Sequence, residues 1–85
     1  MEEEIGRITH YFSKIGVGII EINKGVLQLG DTIHIQGHTT DFYQKINSMQ
    51  MEHKSVELVS AGETAGLKVD YEVRENDIVF VVKEL

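Results

Sequence analysis

Short runs rich in Ile, Val, Thr, Tyr and Phe recur along this chain at roughly ten-residue intervals, with Gly, Asn or Asp between them. β-Branched and aromatic side chains suit a pleated, half-buried surface, whereas the 3.6-residue apolar period of an amphipathic helix is weak almost everywhere. The cadence predicts an all-β barrel or sandwich of about six strands. With 85 residues the chain can build one hydrophobic core and not two. We therefore expect a single domain over residues 5–85, led by a solvated acidic segment over residues 1–4, where three of the four residues are glutamate.

The first run, residues 5–12, alternates Ile8, His10 and Phe12 against Arg7, Thr9 and Tyr11, with a turn following at residues 13–16. Val17–Ile22 reads as a second strand that is apolar on nearly both faces. After a break at Asn23, Lys24 and Gly25, residues 26–31 form a short hydrophobic loop that launches the strand Thr32–Gln36. Residues 41–51 make the longest run, in which the odd step from Ile46 to Met49 predicts a β-bulge. A helical turn or loop is expected over residues 56–61, and strands over residues 64–69 and Ile78–Val82. A faint echo links Gly30-Asp31-Thr32-Ile33 with Asn76-Asp77-Ile78-Val79, and shared turn chemistry accounts for it, since an aspartate can bond its own backbone and start a strand. The chain contains no proline, so Gly, Asn and Asp must make its turns.

Composition removes several kinds of chemistry. With no cysteine there is no disulfide, thiolate zinc site or cysteine nucleophile. Eight Lys and Arg against fourteen Asp and Glu give a net charge of −6, which argues against a general nucleic-acid coat protein. No Gly-rich loop ends in Lys-Ser or Lys-Thr, so no bound nucleotide is expected, and the serines carry no Gly-x-Ser-x-Gly elbow. His10, His34, His38 and His53 lie in no compact ligand motif, and neither a metal nor another cofactor is expected. Arg7, Tyr11, Tyr43 and Lys45 could interleave basic and aromatic groups on one outer face, although ordinary cross-strand pairing explains them more simply. The acidic start lacks the pattern of a signal peptide, and no run approaches the roughly 18 apolar residues of a membrane helix. A cytoplasmic protein with no membrane contact is the expectation.

Three stretches together resemble the second, β-barrel domain of the elongation factor Tu and elongation factor 1-alpha family, here as a free-standing protein. They are Gly25-Val26-Leu27-Gln28-Leu29-Gly30-Asp31-Thr32-Ile33, Ile46-Asn47-Ser48-Met49-Gln50-Met51-Glu52-His53-Lys54, and Ala61-Gly62-Glu63-Thr64-Ala65-Gly66-Leu67. The resemblance implies a closed six-stranded antiparallel Greek-key-like barrel. Gly25, Gly30, Asp31, Gly62, Gly66 and Asp77 would serve its turns and close approaches. In that family the barrel helps hold the aminoacylated 3′ end of tRNA and contacts the ribosome. The resemblance therefore implies a non-enzymatic, translation-associated module that touches tRNA or ribosomal RNA weakly through Gln50, Met51, His53, Lys54 and Lys68. Such barrels also occur in the selenocysteine-specific elongation factor and at the C-terminus of some collagenase-like peptidases, so the fold does not fix the partner. The low positive charge favours a second reading, a protein–protein docking module that packs on an enzyme or GTPase partner, as barrel domains in multidomain relatives pack on their neighbours.

Overall fold

A computed structural model describes residues 1–83; the last two positions of the domain expected over residues 5–85 lie outside the described residues. Ten strands and no helix make up this part of the chain. In chain order they are β1 (Glu2–Phe12), β2 (Val17–Ile22), β3 (Val26–Gln28), β4 (Thr32–Gln36), β5 (Asp41–Lys45), β6 (Met49–Met51), β7 (Lys54–Val56), β8 (Leu58–Ser60), β9 (Thr64–Lys68) and β10 (Ile78–Val82). Eight of them form one antiparallel sheet in the order β5-β4-β10-β1-β2-β9-β6-β7, and β3 pairs with β8 in a separate ribbon. Among the described residues no ladder joins the end strands β5 and β7. The fold is thus all-β as expected, with more and shorter strands than the six anticipated.

The extra strands come from segments too short to alternate visibly. Residues 26–31, expected as a loop, hold β3, and residues 56–61, expected as a helical turn or loop, hold the whole of β8. Leu27 of β3 and Val59 of β8 face each other in the core, so a three-residue strand is held by one buried pair. Residues 41–51 divide into β5 and β6. The change of face between Ile46 and Met49 comes from a break in the strand, not from a bulge, and both side chains are buried. Glu2, Glu3 and Glu4 belong to β1, opposite Val82, Val81 and Phe80, where a solvated lead was anticipated.

Two irregularities in β1 reset the faces of the first strand. Its register against β10 shifts between Glu4 and Gly6, and its register against β2 shifts between Ile8 and His10. A bulge adds one residue to one strand, and with a two-residue period that reverses every side chain beyond it. Ile5 and Ile8 are both buried, but past the second bulge Tyr11 turns to the core while His10 and Phe12 face outward. The expected alternation of residues 5–12 is corrected on this point. The core itself is mainly aliphatic, with Ile20, Ile33, Ile35 and Leu67 from three strands at its centre.

Where the sheet fails to close by a ladder, one side chain spans the gap. Gln44 on β5 is buried; its Nε2 donates to the Lys68 carbonyl at 2.9 Å, and its Oε1 accepts from the Asp70 N–H at 2.8 Å. One amide thus imitates a strand partner for the chain leaving β9.

The two echoing turns share a mechanism. Gly30 at φ +92° and Asn76 at φ +72° occupy the left-handed region directly before Asp31 and Asp77. Asp31 Oδ2 accepts from the Gln28 N–H at 3.0 Å, and Asp77 Oδ2 from the Arg74 N–H at 2.8 Å. Each carboxylate closes its turn and sets the start of the following strand, β4 or β10. Gly25 and Gly62 also turn the chain at positive φ, whereas Gly66 has ordinary φ and lies where an added Cβ would come within 3.3 Å of Val17.

Candidate functional site

The residue pairs of the β2 and β9 ladder number five, but those of the β6 and β9 ladder only two, Met49 with Leu67 and Gln50 with Gly66. Beyond Gln50 the short β6–β7 hairpin peels away from β9. The opening is a groove of about 310 Å³, floored by Val17, Ile19, Ala65 and Gly66 and walled by Phe12, Ile15, Met51 and His53. Its floor follows from β2, whose inner positions Gly18, Ile20 and Ile22 are buried while Val17 and Ile19 are half-buried on the other face.

All five residues proposed from sequence for partner binding lie along this face. Gln50, Met51 and His53 line the groove; Lys68 lines an adjoining recess with Gln50 and Ser48; Lys54 faces Met51 across the hairpin. Lys68 Nζ donates to the Ile15 carbonyl at 2.8 Å and so ties the groove wall to β9. Phe12, 45% exposed, and Ile15, 58% exposed, complete the apolar wall and were missed from sequence. Ile15 is an apolar residue inside a polar turn, and β2 is apolar on both faces; those were the available signals. Arg7, Tyr11, Tyr43 and Lys45 do not share a surface. Tyr11 packs on the core, Arg7 binds Asn76 and Glu21, and Lys45 lies on end strand β5.

The tip of the β6–β7 hairpin is strained. Glu52 at φ 51° and His53 at φ 66° are both in the left-handed region, which suits the tight two-residue turn but costs side-chain-bearing residues about 1–2 kcal/mol each. Replacing the pair by Asn and Gly (E52N/H53G) should therefore stabilise the domain by about 1 kcal/mol, read as a higher thermal midpoint. An unchanged or lower midpoint would show that these side chains contribute contacts outweighing the strain.

A second cluster lies on the far side of the sheet. His34 on β4 is only 8% exposed; its Nδ1 lies 2.6 Å from Glu2 Oε1 and its Nε2 2.5 Å from Asp41 Oδ1. Tyr43 stacks on the imidazole with centroids 4.2 Å apart and donates its hydroxyl to Glu2 Oε2 at 2.5 Å. Both ring nitrogens meet carboxylates, an arrangement that favours the imidazolium, in which both nitrogens donate and no lone pair is left to act as a base. The carboxylates sit on opposite edges of the ring and do not converge on a common point. Among the described residues no group of three or more His, Cys, Asp or Glu is arranged to hold a metal ion.

Burial is the strongest single influence on His34 and would lower its pKa, but the bonds to Asp41 and Glu2 and their charges outweigh it, and the pKa is raised. Glu2 is lowered, first by the Tyr43 hydroxyl and then by His34, and Tyr43 is raised, chiefly by its bond to Glu2. A raised histidine stabilises the fold fully below its unfolded pKa near 6.5 and loses that contribution as pH rises through the folded value. A lowered glutamate contributes above its unfolded pKa and loses the contribution as pH falls through its folded value. The thermal midpoint should hence fall as pH rises from the ordinary histidine range through the raised folded value, and that part of the fall should vanish in His34→Gln. Equal pH dependence in parent and variant would place the effect elsewhere.

Comparison with known proteins sets this geometry in context. No protein-family model matches the chain. It is 43% identical over 82 residues to an uncharacterized protease of Methanocaldococcus jannaschii and 35% identical over 77 residues to a collagenase of Porphyromonas gingivalis, matches that cover 95% and 89% of this chain. It spans only about a fifth of the length of these curated relatives, 20% and 21% respectively. Its fold is similar to a crystal structure of the C-terminal domain of a Geobacillus thermoleovorans protein described as a U32 peptidase. The TM-score is 0.87 at 15% identity, covering 95% of this chain and 93% of that one. These relatives overturn the resemblance to an elongation factor and the translation-associated, RNA-binding role it implied. The stretches that carried the resemblance are largely turns and short strands, which report the path of a backbone more than the partner it binds. Among the described residues no helix is long and apolar enough to cross a membrane. What the comparisons support is similarity in sequence, across nearly the whole of this chain, to a segment of proteins named as a protease and a collagenase, and similarity in fold to the C-terminal domain of a U32 peptidase.

Proposed function

We propose that this chain is a docking module of a collagenase-like, U32-type peptidase, packing on the peptidase body through the groove between β9 and the β6–β7 hairpin. The observation that carries the reading is the 43% identity, over 95% of this chain, to a protein named as a protease that is about five times longer. A module so placed needs an apolar surface for its neighbour, and Phe12, Ile15, Val17, Ile19 and Met51 supply one beside Gln50, His53, Lys54 and Lys68. In this reading the chain contributes position, not chemistry, since His34 is committed to Glu2 and Asp41 and no nucleophile stands beside it. The Gln44 bridge ties β5 to the chain leaving β9, the strand that borders the groove.

The test is titration calorimetry of this chain against the Methanocaldococcus jannaschii protease lacking the 82-residue segment that it matches, with the full-length protease as comparison. Saturable binding to the shortened protein and weak binding to the full-length one, whose own segment fills the position, is expected. No binding to a folded, shortened protease would sink the docking reading.

A further inference from the structure

From the groove we infer the chemistry of what fills it: an extended, acidic polypeptide segment with an aliphatic or aromatic anchor, supplied by the peptidase body and added as a short strand to the open edge of β9. The inference rests on the docking reading and gives the contact a chemical identity.

The edge comes first. In the β2–β9 pairing, bonds from Ile22 N to the Glu63 carbonyl and from Val69 N to the Gly16 carbonyl mark the residues of β9 that bond toward β2. By antiparallel alternation Thr64, Gly66 and Lys68 turn their peptide groups the other way. Gly66 meets Gln50 and the Lys68 carbonyl takes Gln44, but Thr64 has no strand partner on that side among the described residues. Thr64 faces the groove. An extended segment can enter there and continue the ladder where β6 leaves it.

The walls come second. Phe12 and Ile15 on one side and Met51 on the other leave an apolar slot over Val17 and Ile19, fit for one or two anchoring side chains.

Charge decides the flanks. Acids outnumber Lys and Arg fourteen to eight in the chain, yet lysines border this groove from the recesses on its flanks. Glu52 is the one carboxylate lining the groove itself, while Lys14 and Lys68 line the recesses that adjoin it and Lys54 pairs with Met51 of its wall. None of these three lysines forms a salt bridge among the described residues; Glu21, the nearest acid along β2, is held by Arg7 at 3.5 Å. A segment with carboxylates on both sides of its anchor complements this rim, and a basic one is repelled by it.

The experiment follows the backbone amide shifts of the isotope-labelled chain during titration with a capped peptide Glu-Asp-Val-Phe-Val-Asp-Glu, with Lys-Arg-Val-Phe-Val-Arg-Lys as charge-reversed control. Saturating shifts at Phe12, Met51, Thr64 and Gly66 are expected with the acidic peptide, together with at least about tenfold weaker binding of the control. Lys54→Glu and Lys68→Glu should each weaken the acidic peptide by about fivefold to tenfold; Lys54→Glu guards against a loosened Ile15 turn in the other variant. Equal response to both peptides, shifts centred elsewhere, or the same shifts with a uridine oligonucleotide would overturn the assignment. Docking on the shortened protease without peptide binding removes this inference alone. Peptide binding without docking removes the peptidase body as the source.

Discussion

Gly6→Ala should cost this domain about 3 kcal/mol or more, the thermal midpoint falling by roughly 12–24 °C. A Cβ at Gly6 would lie 2.0 Å from the Glu21 carbonyl oxygen and 3.1 Å from Ile22 Cα, so it meets backbone of β2 and not the flexible end of a side chain. Gly6 pairs with Ile22 between the two irregularities of β1. Relief would require β1 and β2 to separate where both bulges set the faces of Ile5, Ile8 and Tyr11. A small domain has about 5–15 kcal/mol in all, so the variant should be partly unfolded well below the parent's transition. Gly62→Ala is the contrasting case, with φ +91° but nothing within 4 Å of the added carbon. Its cost should be limited to the backbone conformation, about 1–2 kcal/mol. Similar losses in the two variants would show that close approach of β1 to β2 is not what Gly6 provides.

Gln44→Leu should destabilise the domain by about 2–3 kcal/mol although it keeps the volume of the side chain. Leucine would fill the same space against the core, but the Lys68 carbonyl and the Asp70 N–H would both lose their partner. An orphaned buried polar group costs about 1–3 kcal/mol, and water can restore part of this at Asp70, which is exposed. Gln44→Glu separates the two halves. Its carboxylate still accepts from Asp70 but opposes the Lys68 carbonyl, so this variant should gain stability as pH falls and the acid becomes a donor. A Leu variant as stable as the parent in chemical denaturation would mean that the bridge across the open side of the sheet contributes little. Because Lys68 also ties the Ile15 turn, loosening the bridge should increase amide exchange along Phe12 and Ile15 before the sheet unfolds.

Much of the fold was legible because local chemistry acts at short range. Strands β2, β4 and β10 were placed to the residue, since each is a run of β-branched side chains bounded by Gly, Asn or Asp. The turn before β4 and its echo before β10 were readable for the same reason: an aspartate bonding its own backbone needs no distant partner. The three-residue strands β3 and β8 were not, because Leu27 and Val59 form strand only through each other, across more than thirty residues of chain. The faces of β1 were misread beyond Ile8 because a bulge is decided by the neighbouring strand.

The candidate site divides in the same way. Gln50, Met51, His53, Lys54 and Lys68 were singled out from sequence, and they do lie along one face, but for a partner from which the relatives point away. Short motifs kept for making turns are shared by barrels that bind quite different things, so they identify a backbone path better than a ligand. Phe12 and Ile15 entered the groove only once the β1 bulge and the parting of β6 from β9 were known. The His34 cluster was hidden because Glu2, His34 and Asp41 lie on three strands.

Residue order alone settled the all-β character, the single core, the absence of cysteine chemistry and the position of the aspartate turns, each depending on propensity, count or contacts a few residues apart. Pairing across the sheet settled the rest. It put Tyr11 inside and Phe12 outside, set His34 between two carboxylates, and opened β9 beside a rim of lysines in an acidic chain. The physical reason is range: backbone preference and turn chemistry act within about four residues, whereas register, burial and electrostatic surroundings are set by segments that only folding brings together.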